Sequence, residues 1–243
     1  MLFRSNAESL AEAVNGISNN GVIVLGSDIT LNSAGDLQSK NFTLDLNGNT
    51  LTLTDVNVNA PISIKNGTVA SQFYINSDVT AENVTFEVSN ILSSTEGALQ
   101  LKGNKNVTLK NCTFNCTNNG RPLVTECNGY TGILTMEGCT FKSNGKNPVY
   151  LDHLGSATAK VIVKNCVFED ALACEFYGQE SQFTITGNTF NSTFDFAYNV
   201  TAIGALSENC KAFCNEVLSN NEFKGVNKLC VGWPIMGYVN TKF

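Results

Sequence analysis

The 243-residue sequence predicts an all-β fold, in which the chain coils as a right-handed single-stranded parallel β-helix, a solenoid. Three observations lead to this prediction. A motif ending in Phe recurs along the chain, its copies alternate apolar and polar residues, and charged residues make up only 15% while Asn and Thr are abundant. Alternation with a period of two indicates strands, and a repeat period in the twenties indicates stacked units. Thr favours strands and Asn favours turns, so a helical bundle is excluded.

The first predicted element is an amphipathic helix near the amino terminus. Leu10, Val14 and Ile17 have helical spacing, and a strand at 22–25 follows them. An open solenoid end exposes unpaired strand groups and apolar side chains. We therefore expect residues 1–40 to form a capping helix and the first strands, with partner binding as the alternative role of the helix.

The repeats occupy residues 41–225. The motif, apolar-x-apolar-x-(Asn/Gly)-(Cys/Asn)-x-Phe, is found at 107–114 (VTLKNCTF), 134–141 (LTMEGCTF), 161–168 (VIVKNCVF) and 183–190 (FTITGNTF). Degenerate copies end at Phe86 and Phe223, so the terminal Phe residues are spaced by 28, 27, 27, 22 and 33 residues. At roughly 25 residues per rung, this length predicts about seven rungs. The usual hand of crossover connections predicts a right-handed coil.

Two ladders of like residues follow from stacking these copies in register. The turn position predicts a Cys ladder that continues as an Asn ladder, and the last position predicts a Phe ladder. Because parallel side-chain vectors do not give the dihedral angle of a disulfide, we expect free thiols in the Cys ladder. The predicted ladder residues are Cys112, Cys139, Cys166, Asn188, Asn221, Phe86, Phe114, Phe141, Phe168, Phe190 and Phe223.

The carboxyl-terminal segment, residues 226–243, departs from the repeat. It is apolar and contains the only Trp of the chain. We expect it to cap the last rung, with a trimer interface or an attachment surface as the alternative. The three segments together form one structural domain.

The repeats resemble those of the pectate-lyase-like superfamily of right-handed parallel β-helices. The resemblance implies polysaccharide lyase or glycoside hydrolase activity. Such lyases remove a proton with an Arg or Lys beside calcium held by acidic residues, and the inverting hydrolases use paired carboxylates. The chain departs from both patterns. Its two arginines, Arg4 and Arg121, do not lie among acidic residues of adjacent rungs, and the polygalacturonase signatures Asn-Thr-Asp, Asp-Asp and Gly-His-Gly are absent. No catalytic residue is therefore predicted.

The weak catalytic candidates are Asp152 and His153, which place an acid beside the only His of the chain. Glu126 lies about one rung earlier by spacing and Glu175 about one rung later. The alternative is a solvated strand end. We also predict no metal and no cofactor, since Cys210, Cys214 and Cys230 match zinc spacing poorly.

Composition limits the compartment and the partners. The net charge of -6, from 15 basic and 21 acidic residues, argues against a nucleic-acid partner. No apolar run reaches the roughly 20 residues of a membrane helix, so membrane insertion is not expected. Residues 1–7 contain no recognisable secretion signal, and an odd count of nine cysteines favours reduced thiols in a cytoplasm.

Two functions of different classes remain. The first is a nonenzymatic structural protein of a bacteriophage virion surface, a head fibre, decoration or tail-associated protein assembled in the host cytoplasm. Its expected partners are other virion proteins, a host-surface glycan or further copies in a trimer. The alternative is a carbohydrate-active or carbohydrate-binding protein of a bacterial surface, secreted with a signal that the given sequence lacks.

Overall fold

A computed structural model describes residues 7–31, 40–53, 56–70, 72–87, 97–101, 103–115, 121–125, 130–142, 149–151, 158–169, 173–177, 182–191, 197–201, 216 and 219–224. The helix is α1 (Ala7–Gly16). The strands, in chain order, are β1 (Gly21–Val24), β2 (Ile29–Leu31), β3 (Phe42–Asp45), β4 (Thr50–Leu53), β5 (Val56–Val58), β6 (Ile62–Ala70), β7 (Phe73–Ile75), β8 (Val79–Glu87), β9 (Gly97–Leu101), β10 (Val107–Lys110), β11 (Thr113–Asn115), β12 (Arg121–Thr125), β13 (Ile133–Glu137), β14 (Thr140–Lys142), β15 (Val149–Leu151), β16 (Lys160–Lys164), β17 (Val167–Glu169), β18 (Ala173–Tyr177), β19 (Phe183–Thr186), β20 (Thr189–Asn191), β21 (Ala197–Thr201) and β22 (Glu222–Lys224).

Within the described residues, these strands form a 15-stranded and a 7-stranded sheet, and the strand pairings are parallel. The larger sheet contains two rows. The first row runs β1, β3, β6, β8, β10, β13, β16, β19, and the second runs β2, β4, β6, β8, β11, β14, β17, β20, β22, with the long strands β6 and β8 shared between the two. The smaller sheet is the third row, β5, β7, β9, β12, β15, β18, β21. The prediction of an all-β fold of parallel strands is confirmed, and the arrangement is consistent with a parallel β-solenoid.

Strand register follows the sequence repeat. Val107 pairs with Leu134, and Leu134 pairs with Val161, so equivalent positions of successive motif copies lie side by side. First-row strands alternate buried residues with partly or fully exposed ones, as Leu134 and Met136 are buried while Glu137 is exposed. Buried side chains from all three rows join one hydrophobic cluster. The period of two in the sequence therefore becomes one inward and one outward face.

The first and second rows meet at a two-residue bend within each motif copy. Asn111 and Asn165 take positive φ angles of 51° and 53° there, and Gly138 takes 65°. Asn and Gly tolerate this left-handed conformation better than other residues. This steric requirement explains why the motif carries Asn or Gly at its fifth position.

Helix α1 contributes its apolar face to the same core. Leu10, Ala13 and Val14 are fully buried and belong to the hydrophobic cluster. Lys40 donates hydrogen bonds to the carbonyls of Asn15 and Ile17, which satisfies carbonyl groups that a helix carboxyl terminus leaves unpaired. The amphipathic helix expected from the sequence is therefore present and packs against the strands.

Candidate functional site

The candidate site lies at the bend between the first and second rows, where equivalent side chains of successive motif copies stack on one another. Behind it, the Phe rings of successive copies stack face to face. The centroid separations are 4.8 Å for Phe86–Phe114, 4.8 Å for Phe114–Phe141, 4.9 Å for Phe141–Phe168 and 4.8 Å for Phe168–Phe190, with interplanar angles of 5° to 12°. The backbone register continues this series from Phe190 to Phe223.

Three free thiols lie buried just inside the bend. We call them the thiol row, and they belong to Cys112, Cys139 and Cys166. The Cys112 thiol donates to the carbonyl of Ala81 at 3.5 Å, and the Cys139 thiol donates to the carbonyl of Leu109 at 3.5 Å. Ala81 and Leu109 are register partners. Cys112 and Cys139 therefore bridge to the preceding copy in an equivalent way.

Asn188 and Asn221 continue the thiol row as an amide ladder. The Asn188 side chain donates to the carbonyl of Val163 at 3.1 Å, and the Asn221 side chain donates to the carbonyl of Ile185 at 2.9 Å. In the other direction, the backbone N–H of Cys166 donates to Oδ1 of Asn188 at 2.8 Å. The side chain at this position thus forms hydrogen bonds with backbone groups of the neighbouring copies.

The three thiols interact with one another. Hydrogen bonds from Cys112 and Cys166 lower the pKa of Cys139 below its ordinary value, since they stabilise its thiolate. The pKa values of Cys112 and Cys166 are raised, first by these hydrogen bonds with Cys139 and second by burial. The three thiols therefore titrate as one coupled group.

The outer side of the bend has a shallow depression of about 390 Å³, lined by Lys110, Asn111, Glu137, Gly138 and Asn165. It lies where Gly138 lacks a side chain between two Asn residues of neighbouring copies. Amide, ammonium and carboxylate groups converge on it, so it could contact the hydroxyl or carboxylate groups of a small polar ligand.

Beside this depression, the exposed residues at the fourth motif position and their earlier register partners form a charge column. Lys110 pairs in register with Glu82 on one side and Glu137 on the other. Lys65 and Asp45 form an ion pair of 3.3 Å. The complete column alternates in sign along the first row: Asp45, Lys65, Glu82, Lys110, Glu137, Lys164.

A second column of polar residues runs along the outer face of the second row. Asn115 donates to Glu87 Oε1 at 3.0 Å, and Lys142 Nζ lies 3.6 Å from Glu169 Oε2. Its members in register are Glu87, Asn115, Lys142, Glu169, Asn191 and Lys224. The alignment of motif copies could have revealed both columns, because register makes each motif position a column.

Only some of the candidate residues named from the sequence lie within the described part of the chain. Glu126, Asp152 and His153 lie outside the described residues, as do Arg4 and the cysteines at 210, 214 and 230. Arg121 begins β12 in the third row and pairs with Gly97, and Glu175 in β18 pairs with Tyr150. The catalytic candidates therefore stay predictions, as do the expectations for residues 226–243.

No protein-family model, curated protein sequence or solved structure matches the chain. In the described ranges, no group of three or more His, Cys, Asp or Glu side chains is arranged to hold a metal ion. No helix in the described part of the chain is long and apolar enough to cross a membrane.

Proposed function

We propose that the protein is a nonenzymatic structural protein of a bacteriophage virion surface, such as a head fibre, decoration or tail-associated protein. In this proposal the parallel strands form a right-handed β-helix of about seven rungs of the pectate-lyase-like type, with α1 as its amino-terminal cap. The observation that carries the proposal is that equivalent residues stay in register along the strand rows, both in the buried interior and on the exposed exterior.

Continuity of the interior supports a rigid rod. Each buried Phe contributes about 1.5–3 kcal/mol by burial, and each stacked ring pair adds about 0.5–1.5 kcal/mol. The stack from Phe86 to Phe190 spans five copies without a break. Such a rod resists proteases, because local opening must separate stacked neighbours on both sides.

The exterior supports the same proposal. Opposite charges lie beside each other along the charge column, and polar groups of the second column bond between copies. Charges that neutralise one another along the column present little net field of their own to a polyanionic substrate. Such an exterior suits a protein that presents a stable, hydrated surface.

The location is tested by labelling purified phage particles with an antibody against this protein. We expect label and mass-spectrometric peptides to remain with particles through a density gradient. Recovery of the protein only in a bacterial envelope or secreted fraction overturns the virion proposal.

Activity is tested separately on uronate-containing and neutral polysaccharides. The wild-type protein and the variants His153→Ala and Asp152→Asn are all expected to leave polymer length unchanged. Depolymerisation by the wild type that either variant abolishes would establish an enzyme and would place its catalytic group in that segment.

The depression at the bend favours a second candidate, a carbohydrate-binding protein. Lys110, Glu137 and the flanking Asn residues offer charged and amide groups suited to sugar hydroxyl or uronate groups. In a glycan-binding assay, Lys110→Ala should lower the affinity for a uronate-containing glycan, whereas Lys142→Ala, on the second row, should not. Equal effects of the two substitutions would contradict a site in the depression.

A further inference from the structure

The charge column lies at the middle of the first row. In the part of the chain that the structure describes, this row has eight strands, and the column occupies the six inner ones, from β3 to β16. The two end strands, β1 and β19, carry uncharged Val24 and Thr186 at the same register position. The signs of the column alternate, and its midpoint falls between Glu82 and Lys110. Every charged residue on one side of this midpoint therefore has a residue of opposite sign at the same distance on the other side.

The charges around this midpoint are available for contact with another molecule. Four side chains of the column are exposed and form no ion pair with any described residue: Glu82, Lys110, Glu137 and Lys164. The second column differs, because Lys142 lies 3.6 Å from Glu169 and Asn115 donates to Glu87 at 3.0 Å. Of the two outer columns, the one on the first row is therefore better suited to bind a charged partner.

A column of uncharged residues runs beside the charge column on the same outward face, because residues two positions apart in a strand point the same way. Thr80 and Thr108 are at its centre, and Ser63 and Thr135 flank them. These side chains are shorter than Lys and Glu, so the charged groups extend beyond them towards a facing surface. The members in register are Val22, Thr43, Ser63, Thr80, Thr108, Thr135, Ile162 and Thr184.

We propose that the outward face of the first row is the interface of an antiparallel homodimer. The two-fold axis runs along the strand direction between β8 and β10, so it maps each column onto the same column of the second copy. Such an interface is isologous, and each contact between two different residues occurs twice. The facing pairs are Glu82 with Lys110, Lys65 with Glu137, and Asp45 with Lys164, and all of them join opposite charges.

The alternation of sign also selects this arrangement over its neighbours. A slip of one strand places every acidic residue against an acidic residue, and a parallel arrangement in register does the same. Like charges facing each other are destabilising and suppress the wrong register. A slip of two strands restores the signs but leaves two charges of each column without a partner. The arrangement centred between Glu82 and Lys110 is therefore the one that uses all six charges.

The size of the face predicts a weak dimer. Eight strands about 4.8 Å apart and four residues per strand make a face of roughly 34 by 13 Å. Two such faces bury less than about 1,200 Å², which is typical of weak or transient complexes. The net charge of -6 per chain adds a repulsion between copies that salt screens over about 10 Å at 0.1 M. The test therefore uses 0.1 M NaCl and concentrated protein.

Sedimentation velocity of the full-length protein, up to roughly 300 µM, tests the interface in this weak range. We expect a concentration-dependent dimer for the wild type. Lys110→Glu and Glu82→Lys each create two like-charge contacts in their own homodimer, so each should weaken association at least about ten-fold. In a one-to-one mixture of the two variants, every contact of the mixed dimer is attractive, and association should return to the wild-type level.

Lys142→Glu is the matched control, because it changes the net charge exactly as Lys110→Glu does but lies on the second row. It should associate like the wild type. Glu82→Lys reduces the net negative charge, so a gain of association in that variant would show that overall repulsion, and not the column, governs the equilibrium. A wild type that stays monomeric overturns the proposal, as does a dimer that both single variants retain.

A zero-length carbodiimide cross-link tests the register without any variant, in case one fails to fold by circular dichroism. Lys65 and Glu137 are three strand spacings apart in one chain, roughly 14 Å, which is too far for one amide bond between their side chains. In the proposed dimer they face each other. Mass spectrometry of cross-linked protein, mixed from ¹⁵N-labelled and unlabelled chains, should show Lys65 joined to Glu137 of the other isotope. Cross-linked dimers that lack this link overturn the register.

Discussion

The side-chain oxygen of Asn111 occupies the space above Gly138 that a side chain would need. A Cβ built on Gly138 lies 2.5 Å from Oδ1 of Asn111, well inside contact distance. The same relationship joins Asn165 to Gly187, where the distance is 2.3 Å. From Asn111 to Gly187, Asn and Gly alternate along the bend, and each Asn amide there covers the glycine of the next copy.

Gly138→Ala should consequently destabilise the protein more than a glycine substitution in open space. Both Gly138 and Gly103 have positive φ angles, of 65° and 60°, but nothing lies within 4 Å of a Cβ at Gly103. We expect Gly103→Ala to cost about 1–2 kcal/mol from backbone strain alone, and Gly138→Ala at least about 1 kcal/mol more. Urea denaturation followed by circular dichroism measures both.

A double-mutant cycle separates the clash with Asn111 from the backbone strain at position 138. Adding Asn111→Gly to Gly138→Ala removes the obstructing amide while keeping a residue that tolerates positive φ. We expect the double variant to recover most of the extra loss. Equal costs for Gly138→Ala and Gly103→Ala would show that Asn111 simply moves aside.

The motif copies predict much of this bend. The alternation around Leu134 predicts an inward and an outward face, and the recurring Phe141 position predicts a stack. What one copy cannot predict is contact between copies, such as Asn111 above Gly138, because that depends on register. Aligning Lys110, Glu137 and Lys164 would have predicted the charge column, since they share one motif position.

Third-row strands were less predictable. The strand β12 begins with Arg121 and β18 begins with Ala173, and no shared motif marks them. Their place is set by pairing with the strands before and after, which is a tertiary constraint. The candidates Asp152 and His153 rested on adjacency in sequence and on the rung spacing to Glu126 and Glu175, and neither by itself defines a catalytic geometry.

Phe141 is at the centre of the ring stack, so its truncation should be costly. Its ring contacts two stacked neighbours and is fully buried. We expect Phe141→Ala to lower the free energy of unfolding by about 3–5 kcal/mol, and Phe141→Leu by less. Ile133→Ala is the control, because Ile133 is 43% exposed and should change stability by less than about 0.5 kcal/mol. Similar losses at the two positions would contradict a stacked core.

Charge reversal within the charge column should produce a salt-dependent loss. Glu137→Lys places three like charges in adjacent strands, because Lys110 and Lys164 flank position 137 in register. We expect about 0.5–1.5 kcal/mol of destabilisation at low ionic strength, shrinking in 0.5 M salt. Glu137→Gln removes the attraction without adding repulsion and should cost less. Loss of stability independent of salt would exclude an electrostatic cause.

Tyr130 should make the protein sensitive to alkaline pH. Its hydroxyl donates to the carbonyl of Lys105 at 2.7 Å, and burial first, with the nearby Asp78 second, raises its pKa above the ordinary value of 10. The folded state thus keeps a proton that the unfolded state releases above about pH 10. Stability from this group is fully present below that pH and falls as pH rises further.

Tyr130→Phe tests this linkage. The variant should be about 1 kcal/mol less stable at pH 8, because the Lys105 carbonyl loses its donor. Above pH 10 the wild type should lose stability more steeply, so the gap between the two proteins narrows. Urea midpoints at pH 8 and pH 10.5 measure the change. Parallel decline of both proteins would show that Tyr130 does not resist ionisation.

Asn188 should be the most sensitive polar side chain of the amide ladder. It is buried, accepts from the backbone N–H of Cys166 at 2.8 Å, and donates to Val163 at 3.1 Å and to Asn221 Oδ1 at 2.8 Å. Asn188→Ala removes these hydrogen bonds from a buried site and should cost about 2–4 kcal/mol by urea denaturation. Asn188→Cys should cost less, because the equivalent Cys139 makes the same bridge to a preceding carbonyl. Asn191→Ala, at an exposed position on β20, is the control and should be nearly neutral; a loss equal to that of Asn188→Ala would rule out a special role for the ladder.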